Sequence, residues 1–119
     1  MTMGIEEENG LIAGTFLGVE DHNILTFNLS FDFGNSAQGF GGYAFDRHIQ
    51  ETNTRIGTAF GTTAIRRILD TLEVSRWEDI KGTYARIRRK EGLIESIGHI
   101  VKDQWFSCEE LAREMKEEK

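Results

Sequence analysis

The sequence predicts an α+β protein: a mainly antiparallel sheet of about five strands, in the order β-β-β-α-β-β-α, with a C-terminal helix. Three observations carry this. Leu25, Phe27, Leu29 and Phe31 alternate with Thr26, Asn28 and Ser30, the period of a strand with one buried face. Over Thr58–Leu72, Gly61, Ile65, Ile68, Leu69 and Leu72 fall on one side at helical spacing, while Arg66, Arg67 and Asp70 fall elsewhere. Thr83–Arg89 and Leu93–Val101 flank Lys90-Glu91-Gly92 as the two arms of a hairpin.

In chain order, Asn9-Gly10 reads as a turn that opens a first strand, Leu11–Leu17. Gly18–Asn23 is then a loop and the alternating run the second strand. Gly34-Asn35-Ser36 forms a loop, and the glycine-rich segment 38–45 follows as a third strand. Residues 46–57 are polar and read as a loop or irregular turn. Ser75-x-x-Glu78 has the pattern of a capping box and starts a short helical turn with Trp77, which Gly82 ends. In the hairpin, Tyr84, Arg86 and Arg88 share one face. Leu93, Glu95, Ile97, His99 and Val101 share another, opposite Ile94, Ser96, Gly98 and Ile100. A second capping box, Ser107-x-x-Glu110, launches the last helix with Leu111, Ala112 and Met115 inward.

The chain has 119 residues, enough for one domain with a single modest core. No run of about twenty apolar residues is present to span a membrane. Glu6-Glu7-Glu8 and the lack of an apolar N-terminal segment argue against a secretion signal. The single cysteine, Cys108, excludes an internal disulfide and a multi-cysteine zinc site, which fits a reducing, cytoplasmic setting. Net charge is −6, which argues against general binding to DNA or RNA. Residues 47–90 nevertheless hold ten Lys or Arg against five Asp or Glu, and nine of the chain's fourteen basic residues are Arg. The guanidinium fork suits phosphate, although ordinary surface ion pairing explains much of this excess.

Within Gln38–Asp46, Gly39, Gly41 and Gly42 interleave with the aromatics Phe40 and Tyr43. Glycine weakens a strand, so this pattern marks either a bent or bulged strand or a place where a ligand approaches the backbone. Tyr84, Arg86 and Arg88 offer a ring and two forks at strand spacing, to a nucleotide or to solvent. Glu20-Asp21-His22 puts two carboxylates and an imidazole in one loop, too few ligands for a metal site and more simply a loop hydrogen-bond network. Gly98-His99 lies near Asp103-Gln104-Trp105-Phe106; one of the two rings suits a hydrophobic staple, and either could line a pocket. No nucleophile elbow, Walker loop, dinucleotide fingerprint or His-Glu-x-x-His is present, so an enzyme is the weaker class.

Several segments together resemble a family of small bacteriophage proteins. They are Thr15–His22, Gly39–Asp46, Ile65–Leu69, Trp77-Glu78-Asp79, and Ile97–Ile100 with Lys102-Asp103-x-Trp105-Phe106. The ordered set is similar to the first-described Thoeris anti-defence family, phage sponges for cyclic nucleotide signals, and runs from about residue 10 to residue 112. The resemblance implies a non-enzymatic protein that binds cyclic ADP-ribose isomers, and in some members CBASS cyclic oligonucleotides at a separate site, without cleaving them. It implies homo-oligomers, dimers building a hexamer, in the cytoplasm of an infected bacterium, with ligands between subunits and no cofactor or metal. At the matching segments, chemistry nominates a ligand-binding set of Gln38, Gly39, Phe40, Gly41, Tyr43, Tyr84, Arg86, Arg88, His99, Asp103, Phe106 and Arg113. Tyr84 or Phe106 would stack on adenine, and Arg86, Arg88 or Arg113 would hold phosphate. Two rivals stand beside this reading. One is a protein-interaction module that inhibits a host defence protein through its acidic termini. The other is a nucleotide-signal hydrolase with His22 or His99 as base.

Overall fold

In the computed structural model, residues 6–20 and 22–117 are described, with side chains as far as Lys116. Among the described residues, eight strands and two helices follow one another: β1 (Glu6–Glu20), β2 (Ile24–Asp32), β3 (Ala37–Gly41), β4 (Asp46–Ile49), β5 (Thr54–Gly57), α1 (Ala59–Leu72), β6 (Tyr84–Lys90), β7 (Leu93–His99), β8 (Trp105–Phe106) and α2 (Cys108–Glu117). A 3-10 turn, Trp77–Asp79, lies between α1 and β6. Six strands form one antiparallel sheet in the order β3-β2-β1-β6-β7-β8, and β4 and β5 form a separate ribbon. The architecture is α+β with a mainly antiparallel sheet and a C-terminal helix, as the sequence predicts.

Strand β2 is the spine of the core. Phe27, Leu29 and Phe31 are fully buried, with Phe40, Phe45, Ile68, Ile87, Ile97, Phe106 and Leu111 packed around them. Helix α1 starts at Thr58, whose hydroxyl accepts the Gly61 N–H and donates to the Phe45 carbonyl. Ser107 caps α2 through the Glu110 N–H and also donates to Glu95. The β6–β7 turn is a two-residue hairpin with positive φ at Glu91 and Gly92, the conformation that matches strand twist.

The structure corrects several local expectations. Asn9-Gly10 is not a turn: it lies inside β1, where Gly10 pairs with Ala85 and a Cβ would come within 2.6 Å of the Phe33 ring. The loop expected over Gly18–Asn23 is shorter, because β1 runs to Glu20 and the reversal uses positive φ at His22 and Asn23. The third strand stops at Gly41 instead of continuing to residue 45. Residues 46–57 form the β4–β5 hairpin, anchored to β2 where the Leu25 N–H donates to Asp46. The guanidinium of Arg55, bonded to Asp46 at 2.9 Å, holds that carboxyl below its ordinary range, and the Leu25 bond adds to this. The Ser75 box does not form: the 3-10 turn is preceded by Arg76 and has no side-chain cap. A register shift between Arg88 and Arg89 breaks the predicted alternation on β7, so Ile94 packs on the core while Leu93 is exposed. Ala112 is exposed rather than inward.

Strand β1 divides its two edges. Glu6–Leu11 pairs with β6 and Leu11–Glu20 pairs with β2, so β6 leaves β1 at Leu11. Beyond the contacts of Ile12 with Gly82 and Thr83, the β1 edge over residues 13–20 has no partner strand among the described residues. Phe16, Leu17 and Val19 are exposed on this projecting arm.

Candidate functional site

The glycine-rich strand β3 borders two clefts. The first, about 350 Å³, lies between Gly39, Phe40, Gly41 and Tyr43 on one side and the β6–β7 turn with Glu109 of α2 on the other. The second, about 420 Å³, lies between Gly39, Gly41, Gly42 and Asn28 and the arm residues Phe16 and Glu20. Gly39 and Gly41 thus border both.

Gln38 ties this strand to the hairpin: its amide donates to the Gly92 carbonyl at 2.7 Å and its oxygen accepts from Arg89 at 2.8 Å. At Gly41 φ is +147°, and a Cβ would run into the Phe27 carbonyl oxygen and approach Asn28 Cα to 2.8 Å. The bend predicted as one alternative for this run is therefore present. Gly39 differs, since a Cβ there meets only the Asn28 side chain, at 3.0 Å. Tyr43 is 40% exposed at the rim of the first cleft. Burial raises its phenol pKa, and nearby Cys108, Glu109 and Glu95 add to the rise, so it is a neutral donor near pH 7. The first cleft carries Lys90 against Glu91, Glu95 and Glu109, an acidic balance.

The other nominated residues are placed as follows. Phe40 and Phe106 are core rings, 4% and 3% exposed, packed edge to face; Phe106 has no free face on which adenine could stack. Arg86 donates to the carbonyls of His99 at 2.8 Å and Lys102 at 2.7 Å, and also lies over the Trp105 ring. Arg88 bonds Glu7 at 3.0 Å and sits 3.7 Å above the centre of the same ring. Asp103 accepts the Trp105 indole N–H at 3.0 Å, and a Cβ on Gly98 would come within 2.6 Å of that ring. His99 Nδ1 accepts from the N–H groups of Val101 and Lys102, which assigns the proton to Nε2, 3.6 Å from Glu73. Glu73 in turn bonds Lys102, which lowers its pKa. This cluster binds the 99–105 turn to the sheet, so Arg86, Arg88, His99 and Asp103 have structural partners. Tyr84 is 62% exposed and lies with Asn9, Gly10 and Phe33 along another groove, apart from β3. Arg113 is exposed on α2 and makes no ion pair among the described residues.

Of the nominated set, the structure gathers Gly39, Phe40, Gly41 and Tyr43 at one cleft, with Gln38 adjacent in the strand. Sequence reasoning missed Phe16, Asn28, Glu95 and Glu109 as cleft walls. The Phe16↔Asn28 and Asn28↔Gly41 register pairs bring the first two to β3, and only strand pairing shows them. In the Glu20-Asp21-His22 loop, Asp21 lies outside the described residues; Glu20 lines the second cleft and His22 is exposed. Among the described residues, no group of three or more His, Cys, Asp or Glu is placed to hold a metal ion, and no helix is long and apolar enough to cross a membrane.

Cys108 is buried beside this region, and burial pushes its thiol up to about 12. The folded protein is expected to resist a disulfide-exchange reagent at pH 8 and to react fully in denaturant; rapid labelling of the native state would contradict this. The folded thiol titrates above its unfolded value of 9.0, so its contribution to stability is complete below pH 9 and is lost as pH rises towards 12.

Compared with family models, curated proteins and solved structures, the chain has no match.

Proposed function

We propose that the protein is a sponge: it binds a cyclic ADP-ribose-type signal in the cytoplasm of an infected bacterium, holds it intact, and does so as a homo-oligomer. One observation carries the structural side of this reading. The exposed apolar arm and the glycine strand border the same cleft, with Phe16 on one wall and Gly39, Gly41 and Gly42 on the other. A strand edge with no partner strand among the described residues, bearing exposed Phe16, Leu17 and Val19, is a template for another chain. A second copy seated there would roof the cleft and enclose a ligand that one chain leaves open to water. The glycine backbone supports close approach, and Tyr43 supplies a ring at the rim of the neighbouring cleft.

The phosphate partners change from those the sequence nominated. Arg86 and Arg88 hold carbonyls, Glu7 and Trp105, so of the nominated arginines Arg113 is left for a pyrophosphate, with Lys90 of the first cleft and groups of a second copy beside it. The acidic wall of Glu91, Glu95 and Glu109 favours placing the phosphates away from the first cleft's floor. Removing a sponge's signal requires slow release more than fast capture.

The test is calorimetric titration with a cyclic ADP-ribose isomer, beside sedimentation of the same samples. The wild type is expected to bind and to sediment as an oligomer. Phe16→Glu is expected to lose assembly and to weaken binding at least about tenfold, the cost of an uncompensated charge in an apolar contact. Binding by the monomeric variant at wild-type affinity would show that the site does not need the second copy.

A further inference from the structure

We propose a second, separate binding site in this chain, for a ligand with one phosphate group joined to a flat or apolar body. It is the cleft of about 560 Å³ between the β4–β5 ribbon, the start of α1 and the outer face of α2. The proposal uses none of the residues of the sequestration site and stands whether or not that reading holds.

The walls are set by register. Arg47 and Ile56 are partners across the ribbon, so both side chains point from one face of it. Phe60 and Met115 extend the apolar surface, and Lys116 adds a second cation. Exposed Ala112, expected inward, belongs to this surface and leaves the space open. Thr58 also borders it, but its hydroxyl is occupied by the Phe45 carbonyl and the Gly61 N–H, so the cleft's anion-binding capacity rests on the two cations.

Charge decides the ligand class. Among the described residues, this cleft is lined by two cations and no carboxylate, whereas the cleft at β3 has one cation and three carboxylates. Seven of the nine arginines are ion-paired; Arg47, like Lys116, makes no ion pair among the described residues. A guanidinium and an ammonium that line one cleft, neither ion-paired among the described residues, are suited to a phosphate, the fork setting orientation and the ammonium adding charge. The rest of the wall, with Ile56 44% exposed, is suited to a ring or short acyl body. Its volume falls within the range of small-molecule sites, roughly 300–1,000 Å³. The chain's charge of −6 disfavours a nucleic-acid strand as occupant.

The probe is 1-naphthyl phosphate, followed by its fluorescence at low ionic strength, with 1-naphthol and inorganic phosphate as the two half-ligands. The whole probe is expected to saturate and to bind more tightly than either half. Arg47→Gln and Lys116→Gln are each expected to weaken it about tenfold, the loss of one charge-assisted contact. Ile56→Ala should weaken the probe and 1-naphthol while leaving inorganic phosphate unchanged. Lys81→Gln, at an exposed lysine away from this cleft, should change nothing. Each altered side chain is exposed, and unchanged thermal melts would show that the fold is kept. Absence of saturable binding by the wild type, or wild-type affinity in the Arg47→Gln, Lys116→Gln double variant, would overturn the proposal.

Discussion

Replacing Phe27 by alanine is expected to cost about 3–5 kcal/mol, the largest effect of any single truncation argued from this structure. Phe27 is fully buried and its ring meets three others: Phe45 stacked at 5.0 Å, Phe40 edge-on at 5.8 Å and Trp77 edge-on at 6.2 Å. These neighbours belong to the glycine strand, to the start of the β4–β5 ribbon and to the 3-10 turn. The cavity therefore opens where three short segments are held together, and none of them is a long element that can slide in to fill it. Against a total stability of roughly 5–15 kcal/mol, such a loss leaves the domain marginal at 37 °C. Chemical denaturation should show the midpoint falling with little change in slope. Val101→Ala, at a side chain 79% exposed, should fall within about 0.5 kcal/mol of wild type and serves as the control. A loss below about 1.5 kcal/mol for Phe27→Ala would mean that the ring cluster repacks and is not the core's fixed centre.

Alanine at Gly41 is expected to cost about 2–6 kcal/mol, and the three glycines of the run, Gly39, Gly41 and Gly42, should differ sharply from one another. At Gly41 two penalties add: a backbone conformation that side chains rarely adopt, about 1–3 kcal/mol, and a Cβ pressed on the rigid backbone of Phe27 and Asn28, about 1–3 kcal/mol of overpacking. Gly42 has φ of +88° but open space, so alanine there carries the conformational penalty alone. Gly39 has neither obstacle, and the Asn28 side chain can move aside, so alanine should be tolerated to within about 1 kcal/mol. This ordering separates the two roles of the run. Gly41 makes the bend that ends β3, and Gly39 is the position whose replacement reports on ligand approach. Equal losses at all three positions, measured by denaturant titration, would contradict that separation.

The parts of the fold legible in the sequence were those governed by local periodicity and caps. The alternation of β2, the apolar side of α1, the Glu91-Gly92 reversal and the Ser107 cap each depend on residues a few positions apart. What stayed hidden depends on distant partners. Asn9-Gly10 has turn chemistry, but pairing with β6 and the ring of Phe33 place it inside a strand. The β4–β5 strands are four residues each, too short and polar for a period to show, and they are fixed by Asp46 reaching Leu25. The candidate site divides in the same way. Glycine spacing drew attention to β3 directly. The stripe of Tyr84, Arg86 and Arg88 was read correctly as one face, yet the carbonyls of His99 and Lys102 and the ring of Trp105 that occupy its guanidiniums come from a later turn. Arg47 and Lys116 carry no shared motif, and only the packing of the ribbon near α2 brings them to one cleft.

The most direct measurement of the sequestration claim is to load the protein with a cyclic ADP-ribose isomer, remove free ligand, denature the complex by heat and identify the released compound by chromatography. The account predicts that ligand is retained through the separation and recovered chemically intact, in an amount that matches the protein's sites. Recovery of a hydrolysed product would make the protein an enzyme with His22 or His99 first to be replaced, and no retained ligand would contradict the claim in favour of a protein-binding role.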